Sequence, residues 1–161
     1  MASRWAKRPT AGAAIALLGA VAVPAGRLEA QRVVEYGVTA IATASSPALV
    51  VGGGTAALRT SSRTRLSAAL GAGVSDGRGA WRGELVAHFL LNPTRRAGAG
   101  SYAAGGVAVV GGPVDEGYLV LALGLEGRPG GHDGWFVEAG VGGGARLAAG
   151  WRWRRWPRSG R

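Results

Sequence analysis

From about Val33 onward, apolar and polar residues alternate in short runs, each closed by a cluster of Gly, Pro, Asp, Asn or Ser. Alternation with a period of two marks a β-strand with two unlike faces. The run 33–44 puts Val34, Tyr36, Val38, Ala40 and Ala42 on one face and Glu35, Gly37, Thr39 and Thr43 on the other. The run 64–75 sets Leu66, Ala68, Leu70, Ala72 and Val74 against Arg65, Ser67, Gly71, Gly73 and Ser75. In 80–91, Trp81, Leu85, Ala87, Phe89 and Leu91 oppose Arg82, Glu84 and His88, and in 117–127 four leucines, Leu119 to Leu125, oppose Tyr118, Ala122, Gly124 and Glu126. The last two runs are 134–142, with Trp135 and Val137 against Glu138, and 145–155, with Leu147, Trp151 and Trp153 against Arg146, Arg152 and Arg154. Two further runs, 48–60 and 100–110, are so rich in Gly and Ala that neither face stands out.

Eight such runs predict an all-β chain, an up-and-down antiparallel β-barrel. Their length suits tilted membrane strands of roughly 9–11 residues better than the usual strand of roughly five or six. Turn chemistry separates them: Ser45-Ser46-Pro47, Asp76-Gly77-Arg78-Gly79, Asn92-Pro93, Gly111-Gly112-Pro113 and Gly142-Gly143-Gly144. The 30 glycines argue against helices, since each interior Gly costs a helix roughly 1 kcal/mol relative to Ala.

The N-terminal segment reads differently. Arg4, Lys7 and Arg8 precede an apolar stretch from Ala11 to Gly26. A basic start, a short apolar core and small residues after it describe a secretory signal peptide. Cleavage is expected after Ala25 or Ala30, with Ala30 preferred. The chain then divides into a signal peptide (1–30), a barrel domain (31–156) and a basic tail (157–161).

Composition narrows the chemistry. There is no Cys, which excludes disulfides, thiolate metal sites and a Cys nucleophile. The formal charge of +10 raises nucleic acid as a partner. However, Arg4, Lys7, Arg8 and Arg27 lie in the leader, and five Arg lie in the last ten residues. The middle of the chain is nearly balanced, and no nucleic-acid partner is expected.

Within the runs, charge falls on one face only. That face can point to water, around a greasy core, or into the lumen of a barrel whose apolar face meets lipid. Three features favour lipid. The leader exports the chain. The polar faces carry Gly, Ala, Ser, Thr and a few mixed charges, a set small enough for a narrow eight-strand interior. Trp81, Tyr102, Trp135, Trp151 and Trp153 fall near run ends, where aromatic girdles meet headgroups. Closure follows, because an open edge in lipid strands backbone N–H and C=O groups.

In these features, and in the ending GWFVEAGVGGGARLAAGWRWRR, residues 33–156 resemble the small eight-stranded β-barrel proteins of bacterial outer membranes. The resemblance implies an outer-membrane location and, as partners, membrane lipids, lipopolysaccharide and the barrel-insertion machinery. It implies a monomer. With both termini periplasmic, the outward loops fall near 45–47, 75–79, 111–116 and 142–144, all short; the family's outer loops are usually longer. Family barrels usually end on an aromatic residue; here the last is Trp156.

No catalytic constellation stands out, and no metal site or cofactor is expected. Arg65, Arg82 and Arg146 with Glu35, Glu84, His88, Glu126 and Glu138 form the candidate lumen network, structural in role. His88 invites comparison with lipid-modifying outer-membrane barrels that use a His–Ser pair, but no Ser lies two residues from it. His132 and Asp133 are adjacent turn residues, too few for a metal. The function expected is therefore non-enzymatic, structural or lipid-interacting. The alternatives are a soluble periplasmic barrel around a small apolar ligand and a lipid-modifying enzyme.

Overall fold

A computed structural model describes residues 33–113 and 115–156. The expected leader and tail lie outside the described residues. Eight strands follow one another: β1 (Val34–Ala44), β2 (Leu49–Arg59), β3 (Thr64–Ser75), β4 (Arg78–Leu90), β5 (Ala99–Gly111), β6 (Glu116–Gly127), β7 (Asp133–Val141) and β8 (Ala145–Arg155). Each pairs antiparallel with the next, and β8 pairs back onto β1 from Val34↔Arg155 to Ala44↔Ala145. The result is a closed up-and-down barrel.

The connections differ between the two ends. At the end remote from the termini, β3 and β4 are joined by Asp76 and Gly77 alone, both at positive φ. This is the two-residue hairpin geometry whose twist matches that of the flanking strands. The expected turn was longer: Arg78 and Gly79 belong to β4. The other far-end connections, 45–48, 112–115 and 142–144, are also short. The end holding the termini carries 60–63, 91–98 and 128–132. There Gly130 N–H donates to the Arg95 carbonyl at 2.9 Å and Arg128 N–H to that of Gly98 at 2.9 Å. These two bonds tie the longer loops across the barrel end, and Pro129 is fully buried between them.

The pleat sorts the side chains as the alternation requires. On β1, Val34, Tyr36, Val38, Ala40 and Ala42 are exposed, whereas Glu35, Ile41 and Thr43 are buried. The polarity of the barrel is inverted relative to a water-soluble protein. Leu119, Leu121, Leu123, Leu70 and Leu147 are 63–76% exposed, while Arg65 and Arg82 are 0% and 1% exposed. The charged residues on the outer faces of the described strands stand at a first or last position, Asp133 on β7 and Arg155 on β8, whereas Arg78 and Glu116, exposed at the starts of β4 and β6, have the parity of the lumen. Between those rims the wall carries no charge and is mostly aliphatic.

β2 and β5, whose faces were not legible, take their parity from their neighbours. On β2, Val50, Gly52, Gly54, Ala56 and Leu58 face out and Val51, Ala57 and Arg59 face in. On β5, Ser101, Ala103, Gly105, Val107 and Val109 are the outward set. Tyr102 therefore faces the lumen.

Candidate functional site

The inward face gathers one continuous polar assembly. It holds six arginines (Arg59, Arg65, Arg82, Arg146, Arg152, Arg154) and four glutamates (Glu35, Glu84, Glu126, Glu138), all buried. The eight expected lumen residues all lie inside; Arg59, Arg152 and Arg154 complete the set. Arg152 and Arg154 were legible from the alternation of β8. Arg59 was not, because it ends the Gly-rich β2.

Glu126 is the centre of the half nearest the termini. Its Oε2 accepts from Arg65 Nη1 at 2.8 Å, Arg154 Nη2 at 3.1 Å and Arg152 Nη1 at 3.4 Å. Glu35 accepts from Arg59 Nε at 2.6 Å and from Arg65 Nη1 at 3.3 Å. Arg59 also closes the end of the lumen, donating to the carbonyls of Pro129 at 2.7 Å and Pro93 at 3.3 Å. In the other half, Arg146 grips Glu84 with both Nε, at 3.0 Å, and Nη2, at 2.7 Å, and reaches Glu138 through Nη1 at 2.9 Å. Arg82 Nε donates to Glu84 at 2.6 Å, and its Nη2 to the Gly142 carbonyl in the last turn at 3.1 Å. Arg152 Nη2 reaches Glu138 at 3.4 Å. Because Arg152 touches both Glu126 and Glu138, the two halves form a single chain of alternating charge along the barrel.

Fork-shaped guanidiniums suit this role: each presents several fixed N–H groups to carboxylates on different strands. Three donors lack hydrogen-bond partners among the described residues: the Nε atoms of Arg65, Arg152 and Arg154. Arg154 Nε lies 3.5 Å from Glu35, at ion-pair range but without hydrogen-bond alignment.

Tyr102, expected among the interface aromatics, is instead 1% exposed. Its hydroxyl donates to Glu138 Oε1 at 2.8 Å, and Arg65 and Arg152 lie over its ring at 5.1 and 5.9 Å. The ring covers Gly124 of β6, its register partner, and a side chain at that position would collide with it. Gly150 likewise makes room for Phe136, whose ring sits 3.8 Å from the Arg152 guanidinium. Tyr102→Phe keeps the ring and removes one donor to a buried carboxylate. It is expected to cost about 1–3 kcal/mol, read as a lower urea midpoint for the barrel in vesicles. No change would mean that this hydrogen bond contributes nothing net.

The other four aromatics of that set face outward. Trp135, Trp151 and Trp153 cluster toward the termini, with Trp135 the register partner of Trp151. Tyr36 stacks on Trp153 at 5.7 Å between ring centroids. Trp81 stands alone near the far rim.

His88 has a serine after all, from the neighbouring strand: Ser67 Oγ lies 2.7 Å from His88 Nε2. Its direction decides what it can do. Arg65 Nη2, 3.1 Å from Nδ1, can only donate, so Nδ1 is the acceptor and Nε2 carries the hydrogen. The imidazole thus donates to Ser67, whose hydroxyl in turn donates to the Val86 carbonyl at 3.3 Å. A base that activates a serine must accept its proton, and this pair is arranged the opposite way, buried and facing the lumen.

The remaining space is small. A recess of about 20 Å³ at mid-lumen, bounded by His88, Glu138, Arg146 and Arg152, has room for about one water molecule. A second recess, of about 90 Å³, opens at the far mouth beside Thr43, Ser75, Arg82, Glu116 and Tyr118. There the Tyr118 hydroxyl donates to Glu116. No group of acidic residues and His that could hold a metal occurs among the described residues.

Fold and polarity define a class: closed eight-stranded up-and-down barrels, polar inside and apolar outside. In fold the chain is similar to the crystal structure of the N-terminal β-barrel domain of OprF from Pseudomonas aeruginosa. The TM-score is 0.61 at 15% identity, over 78% of this chain and 98% of that one. No family model and no curated protein matches the chain.

Proposed function

We propose that this chain is a bacterial outer-membrane β-barrel with a structural, lipid-interacting role and neither catalytic nor channel activity. One observation carries the reading: six arginines and four glutamates are enclosed while leucines cover the outside. Burying such charges is costly unless they are paired, and an aliphatic belt of this extent needs an apolar solvent. The fold likeness to the OprF barrel domain and the export leader support the same location. A filled, cross-linked lumen supports a plug rather than a channel. The orientation of the Ser67–His88 pair argues against hydrolysis, and the mid-lumen recess offers no space for an apolar ligand. Closure of β1 on β8 leaves the barrel self-contained, in keeping with a monomer. Its partners are then membrane lipids, lipopolysaccharide among them, and the machinery that inserts barrels.

The test is fractionation of cells expressing the full-length chain, with gel mobility compared before and after boiling. Sedimentation with outer membranes and a boiling-dependent shift are expected. A soluble periplasmic product without a shift would overturn the reading.

A further inference from the structure

The exposed charges of the described residues are segregated by end. The far rim carries Asp76, Asp115 and Glu116 against Arg78, whereas the end holding the termini carries Arg63, Arg95, Arg96, Arg128 and Arg155 against Asp133. Arg128 pairs with Asp133 at 3.0 Å. Arg63, Arg95, Arg96 and Arg155 have no acidic partner among the described residues.

Two features of these arginines identify what they meet. They encircle the barrel: Arg63 comes from the β2–β3 connection, Arg95 and Arg96 from β4–β5, Arg128 from β6–β7, and Arg155 from the end of β8 beside β1. A docked protein would occupy one sector, whereas a lipid leaflet surrounds the cylinder. They also adjoin the aromatic cluster. The Arg155 guanidinium lies over the Tyr36 ring at 5.4 Å, and Tyr36 stacks on Trp153. Amphipathic rings sit at the interface of a bilayer, with cations just beyond them at the phosphates.

From this geometry we infer that the rim at the terminal end is a binding collar for anionic phospholipid headgroups. Arg63, Arg95, Arg96 and Arg155 would contact phosphates, and Tyr36, Trp135 and Trp153 the glycerol region. The inference rests on the lipid-embedded reading above and adds to it the class of lipid.

The full-length chain, refolded into mixed vesicles of phosphatidylcholine and phosphatidylglycerol, tests it. Bromine is placed on one lipid at a time, and quenching of tryptophan emission reports which lipid surrounds the collar. Brominated phosphatidylglycerol should quench several-fold more than brominated phosphatidylcholine at equal mole fraction, and the contrast should shrink as salt screens the charges. Combining Arg63→Gln, Arg95→Gln, Arg96→Gln and Arg155→Gln should abolish the preference, whereas Arg78→Gln at the far rim should leave it. Equal quenching by the two lipids, or a preference that survives the fourfold variant, would overturn the collar provided the boiling shift is intact. Capture by the soluble polyanion heparin without any lipid preference would overturn it too. A chain that inserts into neither lipid would show no boiling shift, and the lipid-embedded reading would then fall first.

Discussion

Glu126→Gln is expected to lower the unfolding free energy of the barrel by about 3–5 kcal/mol, the range found when one partner of a buried ion pair is removed. The cause is crowding of like charge. Arg65, Arg152 and Arg154 all converge on Glu126 Oε2, and the lumen already holds more arginines than glutamates. With the carboxylate gone, Arg65 keeps only Glu35 and Arg152 only Glu138 among the lumen acids. The measurement is the urea midpoint in vesicles, followed by the boiling-sensitive gel shift. Adding Arg152→Gln to Glu126→Gln should recover part of the loss, because the second change removes a cation that the first left uncompensated. Such recovery separates an electrostatic cause from a packing defect. A single variant within about 0.5 kcal/mol of the parent, the range of an ordinary surface substitution, would show that the lumen charges are not what holds the strands together.

Leu121→Arg tests the other face. Leu121 is 63% exposed, midway along β6, between Gly105 of β5 and Val141 of β7. No acidic residue lies on the outer wall beside it. In a bilayer, an arginine near the midplane of a barrel wall costs about 2–4 kcal/mol. On a wall that met water the same change would stay within about 0.5 kcal/mol. Refolding yield and urea midpoint in vesicles read the difference. A neutral outcome would mean that the leucine belt does not meet lipid.

Much of this architecture was legible in the sequence, and the exceptions have physical reasons. The faces of β1, β3, β4, β6, β7 and β8 followed from large aliphatic residues alternating with charged or small ones. β2 and β5 resisted because Gly and Ala carry little polarity on either face. Two of the site-level surprises come from those two strands. Arg59 ends β2, and Tyr102, four residues into β5, has the sequence position of a girdle aromatic but the parity of a lumen residue. Counting back in twos from Val109 and Val107, which face out, would have placed it inside. Ion-pair partners were not legible at all. They depend on the stagger between strands distant in sequence, as when Arg65 of β3 meets Glu126 of β6. The Ser67–His88 contact was hidden for the same reason, since a search along one strand cannot find a partner on the next.

The distribution of charge among the strands bears on how the cylinder assembles. β1 to β7 carry all four lumen carboxylates but only Arg59, Arg65 and Arg82; the other three cations, Arg146, Arg152 and Arg154, arrive together on β8. The first seven strands thus set four carboxylates against three guanidiniums, and the last strand of the barrel brings the cations that complete their pairing. The pairing of β8 with β1 joins the most distant parts of the domain, a step opposed by chain entropy. The contacts of Arg146 with Glu84 and Glu138, and of Arg152 and Arg154 with Glu126, act in favour of that step, so the final strand both seals the wall and completes the ion-pair network inside it.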